Sequence, residues 1–236
     1  VAIGAYSGSY VSGNGNIAIG NSAMYHYEVP VGSYNIAIGK NSMENNWTVS
    51  NVIAIGNDTL CSLTTGACNL ALGQNALSSN TSGQQNVAVG TDALTQATTA
   101  KCNIAIGNGT LTSTTTGGYN VAIGTQTLSC NTIGFANTAV GNNALANNTT
   151  GSRNISIGGN TLGNNTIGQK NVAIGYTAGQ SMTTGQKNVV IGDAAGTIIG
   201  TGTNITVIGY NAEPSANTIS NEVTLGDANV ATVRTN

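Results

Sequence analysis

A short hydrophobic pattern returns along the whole chain: Asn, a large aliphatic, Ala, a second large aliphatic, then Gly, as in NIAIG at 35–39, NVAVG at 86–90 and NVAIG at 171–175. Taking the last glycine of each run as an anchor gives Gly4, Gly20, Gly39, Gly56, Gly73, Gly90, Gly107, Gly124, Gly141, Gly158, Gly175, Gly192, Gly209 and Gly226, with steps of 16, 19 and then 17 throughout. Alternation over so short a β-branched run, bounded by turn formers, predicts one strand per repeat. Within it Val172 and Ile174 share one face, and Asn171, Ala173 and Gly175 share the other.

A strand that is apolar or small on both faces reads as one covered on both sides. A unit of this length buries its apolar side only by stacking on its neighbours, so the pattern predicts an all-β, parallel β-solenoid (β-roll) of 17-residue coils, about 14 coils in all. One strand face is expected to fill the coil interior with the leucine row Leu60, Leu77, Leu94, Leu111, Leu128, Leu145 and Leu162. The other needs a second layer. Association with further copies of the chain is its expected source, the small-residue face letting backbones approach closely. Residues 1–56 form irregular N-terminal coils, 57–209 the regular solenoid, and 210–236 a terminating coil and tail.

The other repeated positions also have stacking roles. Asn103, Asn120, Asn137, Asn154 and Asn171 are expected to form an amide ladder between coils in register. Anchors such as Gly107, Gly124, Gly141, Gly158 and Gly175 suit positive φ or a close backbone contact at a corner. A second glycine column, Gly66, Gly83, Gly117, Gly134, Gly151, Gly168 and Gly185, marks the opposite turn. Thr64, Thr81, Thr98, Thr115, Thr132, Thr149, Thr166 and Thr183 predict a straight rank. Flat threonine ranks on solenoids can order water, which makes an ice-binding solenoid one functional reading. A glycine two residues after most of these threonines argues for a corner instead.

Composition narrows the function classes. Only 6% of the 236 residues are charged and the formal net charge is -2, so no basic field exists for phosphate or an anionic membrane, and nucleic acid is not an expected partner. No apolar run approaches the roughly 20 residues that cross a bilayer as a helix, so membrane insertion is not expected. Cys68 and Cys102 share a repeat position two coils apart, ~9.6 Å at ~4.8 Å per coil, beyond disulfide reach. With Cys61 and Cys130 they read as free thiols, hinting at assembly in a reducing compartment. The chain opens at Val1 in mid-repeat, as a piece of a longer protein would.

Catalysis finds little support. His26 stands near Glu28, but no Ser or Cys completes a nucleophile set, and no enzymatic activity, metal or cofactor is expected. The enlarged coil from Gly20 to Gly39 brings Tyr25, His26, Tyr27 and Tyr34 into a loop, with Trp47 at nearly the same position in the next coil. Aromatics gathered there would stack on sugar rings as a candidate glycan site, or would simply cover the first coils. Arg153, Lys170 and Lys187 share one position in three successive coils. That basic ridge would meet an acidic surface polysaccharide or, as a solvated edge, discourage lateral sheet pairing.

The segment NNALANNTTGSRNISIGGNTLGNNTIGQKNVAIGYTAG resembles the repeats of phage and giant-virus tail fibres and, more distantly, the head repeats of trimeric autotransporter adhesins, whose shorter units share the VAIG strand. The tail NEVTLGDANVATVRTN resembles the segment that precedes the self-cleaving intramolecular chaperone of many tail fibres. The resemblance implies a parallel homotrimer of β-rolls forming a rod about 65 Å long. It implies a structural role in a virion tail fibre, supporting attachment to a host glycan or protein receptor alongside other fibre domains. The alternative it leaves is the head of a bacterial surface adhesin.

Overall fold

The computed structural model describes residues 1–9, 11–26, 32–45 and 48–230. Its fourteen strands, from Ala2–Ile3 to Val223–Leu225, form one parallel sheet in strict sequence order. Each pairs in register with the next: Ile155 lies opposite Val172, Ser156 opposite Ala173, and Ile157 opposite Ile174. The fold is an all-β parallel solenoid, and fourteen strands bound thirteen intervals, so the coil count is about one below the expected 14.

Only three residues of a regular coil are strand; the rest are turns and bends, with no helix among the described residues. Backbone pairing continues round the coil all the same. Leu128 N donates to Ala144 O, Cys130 N to Ala146 O, Thr132 N to Thr149 O, and Arg153 N to Phe135 O, all at 2.9–3.0 Å. Each coil thus satisfies the buried polar groups of its neighbours, which a single coil could not do for itself.

The chain turns by repeated left-handed residues, three per regular coil: Asn143 (φ 54), Leu145 (φ 52) and Arg153 (φ 61) in one of them. Each costs about 1–2 kcal/mol for an L-residue. At the leucine position the cost is offset because the same backbone aims the side chain inward, where full burial contributes about 1.5–3 kcal/mol. All seven leucines of the expected row are completely buried.

The strand's small residues face those leucines. Ala105, Ala122, Ala139 and Ala173 are fully buried and belong to the same core cluster as the leucine row. This corrects the expectation that the small-residue face meets another copy. The coil is closed by a single strand and a turn-rich wall, and alanine leaves the interior room for leucine. The outward face is therefore the one carrying the large aliphatics.

The amide ladder forms as expected. Asn137 Nδ2 donates to Asn120 Oδ1 at 3.2 Å and to Gly151 O at 2.9 Å, while its own Oδ1 accepts from Asn154 N and Nδ2 at 3.0 and 3.1 Å. A second, shorter ladder runs through Asn131, Asn148 and Asn165 at 2.9 Å per rung. It stops where Met182 takes the next position, and Asn165 Oδ1 is left as a buried atom without a partner.

Candidate functional site

Four surfaces of the solenoid carry the candidate chemistry. The broadest is the outer face of the sheet. Ile104, Ile106, Ile123, Ile155, Ile157 and Ile174 point away from the core and are 37–40% exposed. Most of the three-residue strands set two such side chains outward, and the parallel stack lines them up into an apolar band broken only by Thr138 and Thr206. Isolated surface aliphatics are ordinary, whereas an extended band of this kind is a candidate interaction face. The alternation in VAIG made two apolar faces legible. Which of them looks outward depends on the coil's small radius, which no single repeat encodes.

The threonine rank lies at a bend, as the following glycine implies. Its hydroxyls are already engaged along the stack: Thr64 Oγ1 donates to Thr81 O at 2.8 Å, Thr132 Oγ1 to Thr149 O at 3.0 Å, and Thr149 Oγ1 to Thr166 O at 3.1 Å. With the donors committed to the next coil's carbonyls, only acceptor capacity faces water. A further threonine set missed by the periodicity, Thr59, Thr110, Thr127 and Thr161, donates to the anchor glycine carbonyl of the next coil at 2.6–2.9 Å.

The aromatic candidates divide between two places. Tyr25 meets Tyr6 edge to face with ring centroids 5.7 Å apart. Tyr34 is 66% exposed and lies over Gly15, where a Cβ would stand 2.8 Å from its Cδ1. The tyrosines thus pack against different partners, at corners five residues after Gly20 and five before Gly39. His26 is described beside Tyr25, whereas Tyr27 and Trp47 lie outside the described residues, as does Glu28.

The basic column occupies the left-handed corner that precedes the ladder asparagine: Arg153 (φ 61), Lys170 (φ 59) and Lys187 (φ 58) follow one another in successive coils. All three are exposed. The Arg153 guanidinium sits 5.3 Å from the Phe135 ring centroid, a cation–π contact with a ring that is itself 42% exposed. Tyr119 continues the same corner two coils earlier, and Ile133 flanks it on the same wall; both are more than half exposed. The pairing of phenylalanine with arginine was not read from the sequence, since the two are 18 positions apart and only the 17-residue coil brings them together.

The four cysteines are unbridged. Burial pushes the Cys61 thiol up, outweighing its hydrogen bond with Ser62, so it is no thiolate nucleophile at neutral pH. Among the described residues no three His, Cys, Asp or Glu side chains are grouped as a metal site would require.

Compared with known proteins, the chain matches no family model, no curated protein and no solved structure.

Proposed function

We propose that the chain is a non-enzymatic structural segment of a phage or viral tail fibre, a rigid homotrimeric rod that supports host attachment from the virion. The observation that carries this reading is the outward aliphatic band: apart from the repeats with Thr138 and Thr206, each regular repeat sets two large apolar side chains, partly uncovered, on the same face. A second copy of the same sheet is a fitting cover, because identical repeats keep the two bands in step along their whole length. The number three, and the viral setting, come from the resemblance of the repeats and of residues 221–236 to tail fibres. Thirteen coils at ~4.8 Å give a rod of about 60 Å, long for its girth and stiffened by ladder bonds on all sides.

Light scattering on the purified chain tests the assembly. A trimer is expected, together with dissociation when Ile106, Ile123 and Ile157 are changed to Lys on the outward face. A folded monomer at tens of micromolar would overturn the reading. The bacterial adhesin alternative predicts the same rod, so the gene on either side of this segment separates them. A chaperone-protease domain downstream supports the fibre, and a coiled-coil stalk with a membrane barrel supports the adhesin.

A further inference from the structure

The distribution of charge on the solenoid is lopsided in a way that stacking does not explain. Of six Lys and Arg residues, three form the corner column Arg153, Lys170 and Lys187, and Lys101 lies one residue before that corner in an earlier coil. Among the Asp and Glu residues of the 17-residue repeats only Glu222, just past the corner in the last coil, comes near this wall; Asp58, Asp92 and Asp193 sit instead one or two residues after the anchor glycines. Among the described residues no carboxylate pairs with the three column cations, which stand about one coil rise, ~4.8 Å, apart. Like charges so arranged repel one another, and a chain with so few charges had ample room to separate them. Beside them lie the exposed rings of Phe135 and Tyr119, the first already holding a guanidinium over its face.

We propose that this wall binds a linear acidic polysaccharide lying along the solenoid axis, with Arg153, Lys170 and Lys187 meeting successive carboxylates and Phe135 and Tyr119 stacking on sugar faces. Charge complementarity selects a polyanion. The flanking aromatic and aliphatic side chains, with Ile133 between the two rings in sequence, favour one whose units present apolar C–H faces as well as charge. Three cations in a single line give weak contact per chain, and a parallel assembly presents the line several times over, so avidity supplies the retention. The inference leans on the attachment reading only for the polymer's biological source. The binding itself belongs to the monomer surface.

The test uses fluorescein-labelled oligogalacturonate as the probe, followed by anisotropy at about 50 mM and about 300 mM salt. Binding is expected at low salt, weakening at high salt, and about tenfold weaker in the triple variant Arg153→Gln, Lys170→Gln, Lys187→Gln. Glutamine is a safe replacement because Gln85 already occupies this corner at φ 59. Phe135→Ser, the residue type found at the same position as Ser152, is expected to weaken binding without changing its salt dependence. Lys40→Gln, on a different wall, should change nothing. The proposal is overturned if the triple variant binds like the parent, if neutral dextran competes equally, or if oligo(dT) of matched charge binds more tightly, which would reassign the column to nucleic acid. A triple variant that binds normally but aggregates would establish the column as a guard against lateral pairing. Oligomeric state, measured on the same samples, reports on the rod independently.

Discussion

A Cβ added to Gly196 would stand 3.0 Å from Cγ1 of Val190 and 2.8 Å from Cδ1 of Ile199. Gly196 occupies the position filled by leucine in the regular coils, and Val190 the position filled there by alanine. The coil interior has a fixed capacity, and near its C-terminal end volume has moved from the turn to the strand. Gly196→Leu is therefore expected to overpack the core and cost about 1–3 kcal/mol. Combined with Val190→Ala and Ile199→Thr, the smaller residues found at the equivalent positions Ala173 and Thr114, it should recover most of that loss. Thermal unfolding of the single, double and combined variants checks the coupling; additive losses would refute the shared-volume account.

The amide ladder should behave as a column of interdependent groups. Asn137→Ala removes partners from Asn120 Oδ1, Gly151 O, Asn154 N and Asn154 Nδ2 at once. Asn120 Oδ1 keeps Asn137 N, Gly151 O keeps Asn148 Nδ2 and Asn154 Nδ2 keeps Gly168 O, so the Asn154 amide alone is left buried and unpaired and the expected loss is about 1–3 kcal/mol. Hydrogen exchange at the Asn154 amide should accelerate before that of more distant coils. Asn137→Asp adds a pH signature: a buried carboxyl facing two acceptors is raised above its unfolded pKa, so the folded state holds the proton more tightly. The variant should be most stable in acid and lose stability as pH rises through the raised value.

Much of this architecture was legible because it repeats. The 17-residue step predicts the parallel register seen between Ile155 and Val172, and the Asn and Leu columns point from the sequence alone to stacking and to the interior. What the repeat did not reveal is set by the coil as a closed object. Val172 and Ile174 were known to share a face, but turning that face outward requires knowing that one strand and a turn wall leave space only for Ala173 and Leu162 between them. Likewise the contact of Arg153 with Phe135 crosses coils, and the Asn148 and Asn165 ladder hides among exposed polar residues of similar type. The enlarged coil was hardest to read. Its tyrosines Tyr25 and Tyr34 were grouped by sequence proximity, yet they pack on Tyr6 and Gly15 respectively.

Two glycines separate the reasons for glycine in this fold. Gly158 has φ 133, and a Cβ there would meet Gly175 O at 2.4 Å, so conformation and space both forbid a side chain. Gly158→Ala should cost at least about 2 kcal/mol, with the damage spreading to the next coil. Gly109 has φ 62 and its nearest neighbour to a Cβ is 3.6 Å away. Asn143 and Asn160 take the same position at φ 54 and 55, so Gly109→Asn should lie within about 0.5 kcal/mol of the parent. Denaturant midpoints of the two variants give the comparison, and equal effects would mean that the anchor column tolerates a shift of the stack.

The C-terminal edge is expected to be sensitive to acid. Glu222 takes a ladder-asparagine position, and its carboxylate accepts from the Ser215 hydroxyl, from Ser215 N at 2.8 Å and from Thr224 Oγ1 at 2.9 Å. These bonds, led by the Ser215 hydroxyl, hold its pKa below the usual carboxylate range. A folded pKa depressed below the unfolded value, about 4.3, contributes stability that is present above the unfolded value and is lost as pH falls through the folded one. The loss should be local, because Glu222 also accepts Thr206 N through its backbone carbonyl and so fastens the last strand to the sheet. Below the carboxylate range the Ser215 amide should lose protection against hydrogen exchange, relative to intrinsic rates, while Asn154 keeps it. Glu222→Gln should flatten that pH dependence. Were the dependence to survive in this variant, the titrating group would instead be Asp227, whose pKa is also held low by its bonds from Asn229.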